Sequence, residues 1–329
     1  MQNGKLRLGF IGCGGIMHGH IKRSLDTGEV SVVAMVDPDP TRIAKMVEKF
    51  PELKDVPVFP DYKEALDKVP MDGVQIASPH TVHFEQAMAA MDHGCHCLIE
   101  KPMVCTTPDA KALIAKADEK KRVVVLSYQR HYQPQYRYIK QVVDSGQLGD
   151  VTFVAALQCQ NWKRGVAGTW RHDPALSGGG QLNDSGSHLI DIILWTTSLE
   201  PKEVSAYIDN CGVPVDINSA LSMRFVNGAQ GTVSVVGDAP VWWEDFTIWG
   251  TKGVLFNRNG HLQQCLEGGK MEEPTQMPEG SDPDRNFINA ILRGEKVWAP
   301  PICGLRTIQL TEAAWKSADA CGPCQVASL

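Results

Sequence analysis

Leu8-Gly-Phe-Ile-Gly-Cys-Gly-Gly15 decides the fold of this chain, because it reads as one physical object with Asp37, twenty-two residues further on. The apolar run Lys5–Ile11 has the pattern of a buried strand. Gly12 permits a tight turn out of it, and Gly14 lets backbone come close to a pyrophosphate. A helix opening near Gly15 would aim its N-terminal amides and positive dipole end at that group. A second apolar run, Val30–Val36, delivers Asp37, whose carboxylate can accept from a ribose diol. Strand, turn, helix, strand and acid in this order describe a dinucleotide site. An acid at position 37 favours a 2′-hydroxyl over a 2′-phosphate, so NAD is expected and NADP disfavoured. Arg42, five residues on, can cover the adenine or lie in solvent. The third glycine of the usual fingerprint is absent, and Met17 stands at its position.

The 329 residues suit two domains, and 43% hydrophobic with 21% charged residues is the composition of a soluble globular enzyme. A net charge of −6 without a basic block speaks against nucleic acid as a partner. No apolar run reaches membrane-spanning length, so no membrane partner is expected. The start, Met1-Gln-Asn-Gly-Lys5, has no look of a secretory signal, and a cytoplasmic location is expected. Ten cysteines are many, yet their spacing makes no disulfide framework. Cys321-Gly-Pro-Cys324 follows a helical run, where Gly322 and Pro323 read as stop residues rather than as part of a redox pair. His93, Cys95, His96 and Cys97 would face opposite ways along a strand, and no metal is expected.

Strands are expected at Lys5–Ile11, Val30–Val36, Gly73–Ala77, His96–Ile99 and Val123–Ser127, with helices near 15–25, 41–50, 81–92 and 108–120. Such alternation predicts a doubly wound parallel sheet, a Rossmann domain over residues 1–127. From residue 128 the rhythm changes. A helix near Pro134–Val143 is followed by extended runs at 151–160, 204–208, 220–225, 231–236, 246–249 and 253–256, several joined by Asn-Gly or Thr-Lys-Gly turns. Residues 128–329 are therefore expected to form an α+β domain with an open, mainly antiparallel sheet. Gly268–Pro283 reads as a surface loop, and 284–292 and 306–320 as closing helices.

Two further stretches carry chemistry. Glu100-Lys101-Pro102 follows a strand whose carboxyl end lines the ligand crevice of a doubly wound sheet. A lysine there can donate to a reacting oxygen. Gly178-Gly-Gly-Gln-Leu-Asn-Asp184-Ser-Gly-Ser-His188 leads into an apolar helix, and the four-residue spacing would put Asp184 and His188 on one helix face. His188 can take a proton near neutral pH, and Asp184 can orient it or the substrate. Just upstream, Trp162 with Arg164 and Trp170 with Arg171 offer a ring face and donors for hydroxyl groups. Trp242, Trp243 and Glu244 are weaker candidates and suit a subunit interface.

The glycine turn with its acid, Glu-Lys-Pro near residue 100 and Gly-Gly-x-Leu-x-Asp-x-Gly-x-His-x-x-Asp near 185 together resemble the Gfo/Idh/MocA family. Ala77-Ser-Pro79 with His83, Tyr128-Gln-Arg-His-Tyr-Gln-Pro134 and Asn286-Phe-Ile-Asn-Ala-Ile291 extend the likeness over nearly the whole chain. The resemblance implies Lys101, Asp184 and His188 as the catalytic set, with Asp184 binding substrate and His188 moving the proton. It implies Gly12, Cys13, Gly14, Gly15, Ile16, Asp37, Arg42, Ser78, Pro79, His80, His83, Glu100, Lys101 and Gln129 around the cofactor. Substrate contacts would come from Lys101, Trp162, Arg164, Arg171, Asp184 and His188. It also implies a homodimer or homotetramer assembled through the second domain's sheet. Met17 and Gln129-Arg130-His131, where many relatives have Asn-Arg-Arg, depart from the pattern.

The expected activity is hydride transfer between NAD and a hydroxyl-bearing carbon of a sugar, polyol or related cyclic alcohol. The same lysine and histidine would serve a redox-neutral glycosidase or lyase that oxidises the ring transiently. A non-catalytic NAD or sugar sensor is the more distant alternative.

Overall fold

The computed structural model describes residues 4–328; residues 1–3 and 329, at the outer edges of the two expected domains, lie outside it. The described chain divides into two compact units, one made of 4–104, 108–129 and 281–302, the other of 105–107, 130–280 and 303–328.

The first unit alternates β1 (Leu6–Ile11), α1 (Gly15–Asp26), β2 (Val30–Val36), α2 (Pro40–Lys49), β3 (Val58–Phe59), α3 (Tyr62–Lys68), β4 (Gly73–Ile76), α4 (His83–Asp92), β5 (His96–Ile99), α5 (Thr107–Lys120) and β6 (Val124–Leu126). Its six strands are parallel in the order β3-β2-β1-β4-β5-β6, the doubly wound arrangement expected. Central strands are buried on both faces, which is why β1 and β4 are nearly unbroken apolar runs. The one polar residue inside β4, Gln75, donates to Ser24 Oγ of α1 at 2.9 Å. Strand β3 and helix α3 were not foreseen. Two residues carry no periodicity, although Asp61 caps α3 by accepting from the Lys63 amide. Met17 is fully buried in this unit's core, filling the helix–strand space that the fingerprint's third glycine normally leaves narrow.

The second unit opens with α6 (Pro134–Asp144), β7 (Val151–Cys159), the short α7 (Trp162–Gly165) and α8 (Pro174–Ser177), and α9 (Gly186–Thr197). It continues with β8 (Pro201–Asp209), β9 (Asn218–Phe225), β10 (Gln230–Val236), β11 (Trp243–Gly250), β12 (Gly253–Arg258) and β13 (His261–Leu266). After β13, α10 (Pro283–Arg293) belongs to the first unit, while α11 (Pro301–Ala320) and β14 (Cys324–Gln325) complete the second sheet's layer. That sheet runs β13-β12-β11-β7-β10-β9-β8-β14, antiparallel throughout except for the parallel pair β10–β7. Tyr136 and Ile139 of α6, Leu189 to Leu194 of α9 and Leu310 of α11 pack on its inner face against Val154, Leu221, Val233 and Phe246. Helix α9 is apolar almost all round because it is buried almost all round.

Strand β13 escaped the sequence reading although Asn259 and Gly260, both at positive φ (46° and 83°), form the hairpin turn before it. Its alternation is masked by Gln264, an inward-facing polar residue that accepts from Tyr138 Oη at 2.8 Å. The segment 281–302, grouped by sequence with the second half, packs in the first unit, because Phe287 and Ile288 of α10 enter that unit's core. Cys321, at φ 51°, ends α11, and Cys324 pairs with β8. All ten cysteines are free thiols. Among the described residues no helix is long and apolar enough to cross a membrane.

Candidate functional site

The turn after β1 is built for close approach. Gly12 has φ 84°, and a Cβ there would lie 2.6 Å from the Ser78 amide nitrogen and 2.7 Å from the Ala77 carbonyl carbon. The loop after β4 therefore lies directly against this turn. Gly14 caps α1 without any side-chain hydrogen bond, leaving the helix's first amides to a ligand. Asp37 is buried and accepts from the Cys13 amide at 2.8 Å and from the Asp39 amide at 2.9 Å, each carboxylate oxygen keeping a further lone pair. Burial, seconded by the Asp37 charge, pushes the Cys13 thiol up to about 12, so this cysteine is a packing residue. Arg42 is exposed and reaches over the turn, its Nη1 3.0 Å from where a Gly14 Cβ would be. Ile16 lies exposed just past the turn. A turn in which Gly12 admits no Cβ, an uncapped helix start and a carboxylate just after the next strand fit a dinucleotide.

Glu100-Lys101-Pro102 follows β5 and is braced from both sides. Glu100 Oε2 accepts from the Lys101 amide at 3.2 Å, and its Oε1 takes Gln129 Nε2 at 3.3 Å and His20 Nε2 at 2.9 Å. Burial by itself would raise the Glu100 carboxyl, but the hydrogen bond and charge of His20 outweigh it and hold it down at about 2. The Lys101–Pro102 peptide is cis. His83, wholly buried, spans Pro102 O and Ser78 O, each at 2.9 Å, and burial pushes it below the ordinary histidine range. A neutral ring donates to only one of these carbonyls, so the imidazole joins the two loops by one hydrogen bond and one close contact. Ser78 Oγ donates to Gln86 at 2.5 Å, Pro79 is half-buried, and His80 is buried with its ring edge-on to His83 at 5.9 Å.

In the second unit Asp184 is the best-held candidate. Its Oδ2 accepts from Trp162 Nε1 and from Arg171 Nε, both at 2.8 Å, and it is 3% exposed. The expectation that Asp184 and His188 share a helix face is corrected: α9 begins at Gly186, and Asp184 lies in the turn before it. His188 is in the first turn of α9 and partly accessible. Arg164 is exposed on α7. Trp170 stacks under the Arg171 guanidinium, 4.4 Å from ring centroid to carbon, and Trp162 packs on His172.

The reason Asp184 sits in a turn is Asp216, which the sequence reading missed. Its Oδ1 accepts from the Gly180 amide at 2.8 Å and Trp315 Nε1 at 3.2 Å, and its Oδ2 from the Leu182 amide at 2.7 Å. Burial pushes the carboxyl above the usual aspartate range against the pull of those donors. Gly180 is obligatory, since a Cβ would meet the Asp216 carbonyl oxygen at 2.0 Å. No local pattern in the sequence links position 216 to 180; only the three-glycine run hints that something must approach closely there.

Residues 6–128 match the oxidoreductase family with an NAD-binding Rossmann fold, and residues 136–256 match the Gfo/Idh/MocA C-terminal domain. The chain belongs to the Gfo/Idh/MocA family. Among this family's members it is 25% identical to levoglucosan dehydrogenase of Pseudarthrobacter phenanthrenivorans, over 74% of this chain and 69% of that one. It is 31% identical to inositol 2-dehydrogenase of Pseudomonas fluorescens, over 58% of this chain and 54% of that enzyme. Its match thus spans about half the length of the inositol enzyme. Solved folds agree across the whole chain. A levoglucosan dehydrogenase in complex with NADH and L-sorbose superposes with a TM-score of 0.89 at 21% identity, covering 99% of this chain and 100% of that one. The aldose-aldose oxidoreductase from Caulobacter crescentus does so with 0.83 at 21% identity, over 98% and 99%. Within this Gfo/Idh/MocA chain, Glu244 has left the surface role suggested for Trp242 and Trp243. It is buried and paired with Arg130 and Tyr136.

Proposed function

We propose that this chain is an NAD-dependent dehydrogenase of a sugar, polyol or related cyclic alcohol, its first unit binding the cofactor and its second the substrate. The observation that carries the reading is the anchoring of Glu100-Lys101-Pro102 to α1, the helix that leaves the glycine turn. NAD, when bound, supplies the hydride acceptor. Gly12, Gly14 and Ile16 line its pyrophosphate turn, and Asp37 takes the ribose diol. Lys101 donates to the reacting oxygen and steadies its developing charge, while His188 takes the hydroxyl proton. Asp184, already charge-paired with Arg171, accepts from a neighbouring hydroxyl, and Trp162 supports its carboxylate. That relatives include levoglucosan and inositol dehydrogenases supports a cyclic polyhydroxy substrate.

The outer face of the second sheet supports a homo-oligomer. Tyr207, Ala220, Ser234 and Leu157 stand side by side across four strands, Trp249 stands opposite Phe153, and Tyr207 is 85% exposed. Ten free thiols suit a reducing, cytoplasmic setting.

The test follows absorbance of reduced nicotinamide with NAD and a panel of sugars, anhydrosugars, inositols and glycosides, analysing the same mixtures for released sugar. NADH accumulating with one compound establishes the dehydrogenase. Sugar released without NADH replaces it with the transient-redox glycosidase.

A further inference from the structure

A four-group charge cluster lies inside the first unit, where the sequence reading assigned no role to its central member. His20, on α1 and 1% exposed, puts Nε2 2.9 Å from Glu100 Oε1 and Nδ1 2.7 Å from Asp284 Oδ1 of α10. Arg23, one turn along α1, holds the other Asp284 oxygen through Nε at 2.5 Å, and its Nη2 is 3.1 Å from His20 Nδ1. Glu100 in turn accepts from the Lys101 amide at 3.2 Å.

A neutral imidazole carries one N–H, yet here a carboxylate oxygen faces each ring nitrogen. Were Nδ1 an acceptor for Arg23, its lone pair would point at Asp284 Oδ1. Both nitrogens must therefore donate. Charges then balance, with Glu100 and Asp284 against His20 and Arg23. A neutral ring would leave one buried carboxylate without a counter-charge, which is strongly unfavourable. Desolvation opposes the ring's charge, but Asp284 and Glu100 overcome it and push His20 up to about 9. The other charged or titratable groups nearby are Lys101 and His83 beside Glu100, and Asp282, 3.8 Å from Arg23 Nε.

We propose that His20 is a positioning residue for the reaction: held as an imidazolium between Glu100 and Asp284, it fixes the loop that carries Lys101 to the helix of the cofactor turn. The proposal rests on the reading of Lys101 as the donor to the reacting oxygen. With the Lys101 amide tied to Glu100 and the Pro102 carbonyl next to His83, both ends of the lysine's backbone are set. Glu100 is itself set by His20. Without the imidazolium, Glu100 loses its main counter-charge and the lysine's backbone can shift by fractions of an ångström.

The first experiment needs neither substrate nor cofactor. In histidine labelled with nitrogen-15, the His20 ring of the wild-type protein is expected to carry protons on both nitrogens at pH 8, where an ordinary histidine is neutral. A singly protonated ring at pH 7 overturns the proposal. The second compares His20→Gln with the wild type. The turnover number per folded molecule should fall about 10- to 100-fold while the NAD dissociation constant and KM stay within about threefold. The double variant His20→Gln/Asp284→Asn should recover only part of that loss, since a Gln amide can donate to Glu100 and accept from an Asn but supplies no charge. Wild-type turnover in a folded His20→Gln protein overturns the positioning role. If that variant does not fold, Asp284→Asn serves, with the alkaline limb of kcat expected to move to lower pH; an unmoved limb overturns the proposal. A wild-type protein that turns over nothing fails the dehydrogenase reading, while the ring-nitrogen result still decides the state of His20.

Discussion

At the scale of single residues, the site depends on groups whose surroundings leave them one state. Asp37 spends one lone pair on the Cys13 amide of the glycine turn and one on the Asp39 amide of its own turn, and keeps the others for a ligand. Lys101 has its backbone fixed by Glu100, so its ammonium group swings from a set origin. Lys101→Ala is expected to lower turnover at least about 10²-fold, the range for removing one positioned proton or charge donor. NAD affinity, followed by titration in the absence of substrate, should stay nearly unchanged. Undiminished turnover would remove Lys101 from the chemistry. Asp216 serves the other unit in the same way, as acceptor for two amides and an indole N–H. Asp216→Ala leaves buried donors without their acceptor, at a cost of about 1–3 kcal/mol each. The urea midpoint should drop well below that of Asp216→Asn, which keeps one acceptor oxygen; an Asp216→Ala midpoint equal to the wild type's would show that the carboxylate is dispensable.

At the scale of elements, ion pairs fix how strands begin. Arg7 of β1 donates to Asp72, just ahead of β4, through its amide at 2.9 Å, Nε at 3.1 Å and Nη2 at 2.8 Å, and Asp72 N returns a bond to Arg7 O. The Arg7 hydrogen bonds hold the Asp72 carboxyl at about 2, below its ordinary 3.8. A depressed folded-state value gives stability that is present above the ordinary value and lost as pH falls toward 2. The wild-type urea midpoint should therefore fall between pH 4 and pH 2.5, and Asp72→Asn should flatten the part of that fall due to this pair. A variant with an identical acid profile would show that the pair contributes nothing to acid sensitivity. Helix α9 illustrates a different constraint. It starts at Gly186 because Asp216 and the Gly180 close approach hold the preceding chain in a turn.

At the scale of the whole molecule, the second sheet has one face under α6, α9 and α11 and the other lined with Tyr207, Leu157, Phe153 and Trp249. Exposed aromatic and aliphatic groups on an open sheet face, interleaved with small polar ones such as Ser234, can meet the same face of a second copy in a symmetric assembly. Sedimentation is expected to return a multiple of the chain mass. Tyr207→Glu combined with Trp249→Glu should shift it to the monomer, because charges would then be buried at the contact. A monomeric wild type would discard this interface.

The glycine turn, Asp37, Glu-Lys-Pro and the Asp184–His188 run were legible because each chemistry sits in a few consecutive residues, and the parallel sheet because buried strands must be apolar. Two-residue β3 and half-polar β13 were not legible, because neither carries a clean alternation, and α10 was legible as a helix but not as part of the first unit, which Phe287 and Ile288 decide by packing. The sequence by itself determined the two kinds of sheet and the family, since periodicity and motif spacing are properties of neighbours along the chain. Only the tertiary structure decided that His20 lies between Glu100 and Asp284 and that Asp216 holds Gly180. Those contacts span 80, 264 and 36 residues, and their free energy exists only once folding has removed the water between them.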